Sequence, residues 1–353
     1  GRRVGYLNTT GDKNVGIGWW AAYTGGPTNS VMIGAEAMRY SSVGDKNIAV
    51  GYQAMQQSAE TNYSIGIGVG SLGASISAGY NIAIGEKALY RAGGTHSVAV
   101  GNSAGEFASG SGNIWMGYRA GRGATTSSPY STGYYNIAIG YEAMNLHTTQ
   151  ATYNVALGFS ALKNMTTADD NIAIGRSASV STTTGYSNVG IGPASFYYNV
   201  TGYGAVAIGQ NAGYSFGRGG YYATGSHNVF IGYETGKGSN SGTPYSTGEH
   251  NVAMGYQALY AFTTGKENVI LGYQAGNNMT TGYRNIAIGY QAKAGTVAYD
   301  NIVLGRGAGA GLTSGYKNII IGSLALAGHN GVQNIAIGHQ AMGGGSTGVD
   351  NTI

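Results

Sequence analysis

The chain carries six histidines, fourteen acidic residues and no cysteine, so thiolate metal sites and a disulfide framework are excluded. No two histidines have the HExxH spacing of a zinc hydrolase. The best metal pair is His227 and His250, which occupy the same place in consecutive repeats and are therefore expected side by side. The plainer reading of that column is a solvated corner. It continues through Glu267, Arg284, Asp300 and Lys317, charges of alternating sign that favour one register of stacking. Glycan cleavage needs two carboxylates flanking a bond, and the candidates Glu106, Glu142, Asp169 and Glu234 have no evident partner set. Gly66-Ile67-Gly68 and Gly190-Ile191-Gly192 resemble phosphate loops, but no helix signal follows either. The turns read Thr-Gly-x-x-Asn, not the Gly-Gly-x-Gly-x-Asp of calcium-binding solenoids. No catalytic, cofactor-binding or metal site is therefore expected. Aromatic residues in three longer repeats are the candidates for contact with a glycan or protein receptor: Tyr130, Tyr214, Phe216, Tyr221, Tyr222 and Tyr245. Loops on rigid scaffolds often carry binding, though the same rings serve equally well in packing between subunits.

These residues ride on a repeat that dominates the sequence. The motif is Asn, aliphatic, small, aliphatic, Gly, as at Asn47 to Gly51, Asn81 to Gly85, Asn171 to Gly175 and Asn285 to Gly289, and it recurs nineteen times. Its glycines are 16 to 18 residues apart, with three steps of 23 where insertions fall around 122–133, 214–225 and 237–248. Many repeats continue Tyr-Gln-Ala after the glycine, as at Tyr256-Gln257-Ala258. A βαβ unit needs about 30 residues, so a turn of this length holds short strands and corners only. The fold class expected is all-β, a repetitive β-solenoid of about twenty rungs. At about 4.8 Å per rung this predicts a length of roughly 95 Å.

Side chains alternate along a strand. The two aliphatics, such as Ile82 and Ile84 or Ile286 and Ile288, are expected to stack into a thin inner core. The residue between them is Ala or Gly in thirteen of the nineteen motifs, and is expected on the opposite face, where another subunit approaches. Asn opens sixteen of twenty strand starts; it tolerates left-handed φ, bonds local backbone and is expected to form an amide ladder. Tyrosine recurs after the motif glycine, which points to stacking more than to recognition.

Composition agrees with a repeat and not with an enzyme core. Glycine contributes 65 residues and tyrosine 29, whereas charged residues are 9% against about 25% in ordinary domains. The formal charge of +4 is scattered, leaving no basic cluster for nucleic acid or lipid headgroups. No apolar run approaches the ~20 residues of a membrane span, and no secretion signal opens the chain. Residues 1–353 read as one continuous repeat region cut mid-repeat at both ends, a segment of a longer protein.

Repeats of the Asn-x-Ala-Ile-Gly-Tyr-Gln-Ala kind resemble those of bacteriophage tail fibres and the head repeats of trimeric autotransporter adhesins, over essentially the whole chain. The resemblance implies a β-roll, left-handed in the adhesin heads, and a parallel homotrimer. It also implies an extracellular fibre on a virion or cell surface, serving attachment to a host through a surface glycan or protein receptor. The phage fibre reading stands ahead of the bacterial adhesin. Two other classes are weighed beside it, an ice-binding solenoid and a glycan-cleaving tailspike. The first needs an evenly spaced threonine array, but Thr-Gly here falls unevenly at corners.

Overall fold

The computed structural model describes residues 3–7, 11–40, 44–58, 61–75, 79–91, 93–123, 131–147, 150–214, 225–238, 246–328 and 330–343. Among them there is no helix, and nineteen three-residue strands coincide with the nineteen motif centres. The chain divides into two compact units, Gly1–Asn171 and Ile172–Ile353. The first holds strands β1 (Val15–Ile17) through β9 (Val155–Leu157), the second β10 (Ile172–Ile174) through β19 (Ile335–Ile337). In each unit consecutive strands pair in parallel and in register, so that Ile65 lies beside Ile82 and Val269 beside Ile286. The fold is an all-β solenoid whose turn is one repeat of the sequence.

The motif glycine closes each strand because no other residue fits. Gly289 has φ +136°, and a Cβ there would sit 2.6 Å from the carbonyl oxygen of Gly305 in the next rung. Gly51, Gly85 and Gly175 repeat this geometry against Gly68, Gly101 and Gly192.

The motif asparagines form the expected amide ladder inside the coil. Asn285 is fully buried. Its Nδ2 donates to the carbonyl of Ala298 at 2.8 Å and to Oδ1 of Asn268 at 3.1 Å, while its own Oδ1 accepts from the backbone N–H of Asn301 at 3.1 Å. Asn47 and Asn81 likewise donate to Thr61 and Gly94 and accept from the backbone of Ser64 and Ser97; Asn171 donates to Asn154. The left-handed φ belongs one residue earlier, to Lys46, Tyr80, Asp170 and Arg284. The asparagine is thus chosen for its buried amide and not for its backbone.

The facing of the strands is opposite to the sequence expectation. Ala49, Ala83, Ala138 and Ala287 at strand centres are fully buried, whereas Ile82 and Ile84, or Ile286 and Ile288, point outward. Hydrophobicity alone places isoleucine inside; the width of the coil overrules it. Besides the motif asparagine and the uniformly small third residue after the motif glycine, such as Ala54 and Ala292, three inward positions of variable size share each cross-section: the strand centre, the fourth residue after the motif glycine and the seventh. Interiors pack to fixed density, so bulk at one position is matched by glycine at another. Trp115 lies over Gly105 and Gly121, where an added Cβ would come within 2.5 and 2.1 Å of the indole. Phe230 crowds Gly236 in the same way. Where the strand centre is Gly66, Met55 and Ser71 fill the space.

A second departure is the backbone itself. In the repeat after Gly255, Gln257, Leu259 and Glu267 all adopt positive φ, near 51°, 51° and 59°. Each such residue costs about 1–2 kcal/mol in isolation. It persists because its N–H enters the bonding between rungs: Gln257 donates to Tyr233, Leu259 to Ala275 and Glu267 to Glu249.

Candidate interaction surfaces

With the interior filled by small residues, the paired aliphatics become the main outward feature of both units. Ile82 and Ile84 are 37% and 39% exposed, and Ile286 and Ile288 are 36% and 38% exposed. Because the strands are in register, these side chains form two parallel aliphatic rows in each unit. Monomeric proteins seldom leave an extended apolar face open, and such a face marks an interaction site.

The tyrosines after the motif glycine stack as expected. Tyr233, Tyr256, Tyr273 and Tyr290 follow one another at 5.0 to 5.2 Å with nearly parallel rings. Another column joins Tyr283, Tyr299 and Tyr316 at 4.9 and 4.6 Å. Stacking occupies the ring faces within each column, so these tyrosines present edges and hydroxyls, not the open faces on which a sugar would stack. Beside the first column runs a side-chain ladder in which Gln257 donates to Glu234, Gln274 to Gln257 and Gln291 to Gln274, at 2.8 to 3.0 Å.

The structure brings together some of the residues singled out for chemistry and separates others. His227 and His250 stack at 4.9 Å. Among the described residues no three His, Asp or Glu side chains are grouped to hold a metal. In the same column Arg284 grips Asp300 with two bonds of 2.7 and 3.0 Å. The hydrogen bond lowers the Asp300 carboxyl below its ordinary range. The four candidate carboxylates are each engaged locally: Glu106 with Arg122, Glu142 with Lys163, Glu234 with Lys237, and Asp169 with the backbone and hydroxyl of Thr152.

Of the candidate receptor-contact aromatics, Tyr130, Phe216, Tyr221, Tyr222 and Tyr245 lie outside the described residues. Tyr214 is described. It stacks on Tyr197 at 5.1 Å and meets Tyr198 edge-on at 5.5 Å. Partial burial, with the neighbouring tyrosines, pushes its phenol up to about 12.

One site escaped the sequence reading. His147 is fully buried against Trp115, ring centroids 5.3 Å apart. Its Nδ1 lies 2.9 Å from the carbonyl of Met144 and must be the protonated nitrogen, because a carbonyl only accepts. Nε2 has no partner, and neither has the indole N–H of Trp115. Burial therefore holds the imidazole neutral, its pKa lowered to about 4. The signal was available: Trp115 stands where most repeats have alanine, with glycine at the fourth position of two adjacent repeats.

These features define a parallel β-solenoid repeat protein. No helix among the described residues is long and apolar enough to cross a membrane. No known family model matches the chain, and no curated protein is significantly similar to it.

Proposed function

We propose that the chain is the shaft of an extracellular attachment fibre, a homotrimer whose subunits meet through the outward aliphatic rows. A phage tail fibre is the first reading, a bacterial trimeric adhesin the second. The role is structural and not catalytic: the shaft sets distance and carries binding elements to a host surface. The observation that supports this is the exposed isoleucine and valine face of both units. The burial of that face in an assembly is favourable by roughly 25 cal/mol per Å² of apolar area. Three copies is the number that the resemblance of the repeats implies. The small residues at the strand centres, expected at the subunit contact, are used up inside the coil, so the contact moves to the aliphatics.

Light scattering tests the assembly. The expected particle has about three times the 36.0 kDa of one chain. The double substitution Ile286→Asp and Ile288→Asp places charge on the outward rows without touching the interior and is expected to release monomers of unchanged circular dichroism. A wild-type chain that stays monomeric at high concentration sinks the proposal.

A further inference from the structure

The interior of one repeat in the unit Ile172–Ile353 is under-filled. The repeat of β15 (Val269–Leu271) offers Ile270, Gly276 and Met279 to the three inward positions, and that of β17 (Ile302–Leu304) offers Val303, Gly309 and Leu312. Between them, the repeat of β16 (Ile286–Ile288) has Ala287, Lys293 and Thr296. None of these replaces the bulk that Leu259 or Leu326 supplies at the fourth position elsewhere in the unit, where both are fully buried. The backbone departs too. Leu259 and Leu326 take positive φ to turn inward, whereas Lys293 does not and remains half-buried.

The result is a cavity of about 150 Å³ lined by Met279, Lys293, Thr296, Leu312, Thr313 and Asn278, among others. Its chemistry is divided. Ala294 and Ala310, with Met279 and Leu312 behind them, supply the apolar part of the lining. Threonine and asparagine supply hydroxyl and amide groups. Lys293 is the one charged residue in the lining, and it forms no ion pair among the described residues. Asn277 lies between the lining residues Gly276 and Asn278, and its buried Oδ1 accepts no hydrogen bond. A buried acceptor without a donor is costly, a sign that this part of the coil is imperfectly packed.

The ligand that satisfies these groups has one ring, one negative charge and several hydroxyls. An apolar protein cavity of about 150 Å³ admits a six-membered ring such as benzene, so the space suits a single ring and not an oligomer. A pyranose has C–H faces to lay on the apolar lining, and hydroxyls for Thr296, Thr313 and Asn278. A carboxylate on the ring would pair with the Lys293 ammonium, a charge-assisted bond stronger than a neutral one. Small sites of this build, a mostly apolar wall with a few placed polar groups, are the usual form of ligand pockets.

We propose that this cavity binds one acidic pyranose, a uronic acid residue of a surface polysaccharide. The source of the sugar rests on reading the chain as an attachment fibre; the site itself does not.

The full chain is titrated with glucuronic acid, glucose and sodium acetate, and binding is followed by saturation-transfer NMR. The variants are Lys293→Met, Lys293→Gln and, as a control for general charge, Lys317→Met. Saturable millimolar binding of glucuronic acid is expected in the wild type and in Lys317→Met. It should weaken at least tenfold in both Lys293 variants, with glucose and acetate each binding at least tenfold less well than the uronic acid. Absence of saturable binding overturns the site, as does equal binding in the folded Lys293 variants. Acetate matching the uronic acid removes the sugar from the proposal, and glucose matching it removes the carboxylate; either result overturns it. A chain that scatters as a trimer yet binds no uronic acid loses this inference alone, and a monomer that binds it loses only the fibre.

Discussion

The repeats from Val252 to Ile302 and those around Trp115 solve the same packing problem in different ways. In the first run the columns are uniform, whatever fills the interior: buried Asn251, Asn268, Asn285 and Asn301 share one amide ladder, and Tyr256, Tyr273 and Tyr290 one aromatic column. The second concentrates its interior in one indole, admitted by Gly105 of the preceding repeat and Gly121 of its own and packed against a neutral buried histidine. Uniform repeats spread stability over many modest contacts between neighbours, as a one-dimensional solenoid should. The Trp115 region depends on a single large contact, and its failure should be local and abrupt.

The largest expected effect is therefore that of Trp115→Ala. Removing a fully buried indole costs about 3–5 kcal/mol, since Ala99, Ala138 and the glycines cannot refill the space. Amide hydrogen exchange should accelerate in β7 (Ile114–Met116) and its neighbours, and stay slow around Ile286. Uniform acceleration in both regions would erase the contrast.

Acid comes next. The His147 pKa is lowered when folded, to about 4, against about 6.5 unfolded. Below pH 6.5 the unfolded chain therefore binds a proton that the folded chain refuses. Stability from this group is complete above pH 6.5, falls as pH drops, and is lost by pH 4, a change on the order of 3 kcal/mol. Denaturation midpoints measured from pH 7 to pH 4 should fall for the Trp115 region. His147→Gln should flatten that part of the profile, and an unchanged slope would mean that the ring is not the titrating group.

Asn285→Ala should cost about 1–3 kcal/mol, because it leaves the Asn301 N–H without its acceptor inside the coil and takes from the Ala298 carbonyl one of its two donors, the other being the Tyr283 N–H. Urea unfolding reads this directly. A near-zero effect would show that the amide ladder is ornamental and that uniform repeats draw their stability from elsewhere. The smallest effect should be that of Tyr273→Ala, about 0.5–1.5 kcal/mol for the lost ring pairs, with no change in the assembly measured by light scattering.

The repeat, its period, the strand centres, the corner glycines and the stacked columns were legible in the sequence because each depends on local chemistry repeated at fixed spacing. A glycine that must take positive φ beside another backbone, or an asparagine that must hand its amide to the next rung, is visible wherever it recurs. The direction in which the strands face was not legible. Period-two alternation separates two faces without saying which is inside, and hydrophobicity pointed the isoleucines inward. Nor did the pattern show that Gln257, Leu259 and Glu267 take left-handed backbone, since nothing in those residue types asks for it. Only the closed coil decided these points. Its narrow cross-section balances bulk at one inward position against small residues at the others, so Ala287 goes in and Ile286 and Ile288 go out; the same constraint leaves Trp115 with its glycines and Lys293 with its cavity.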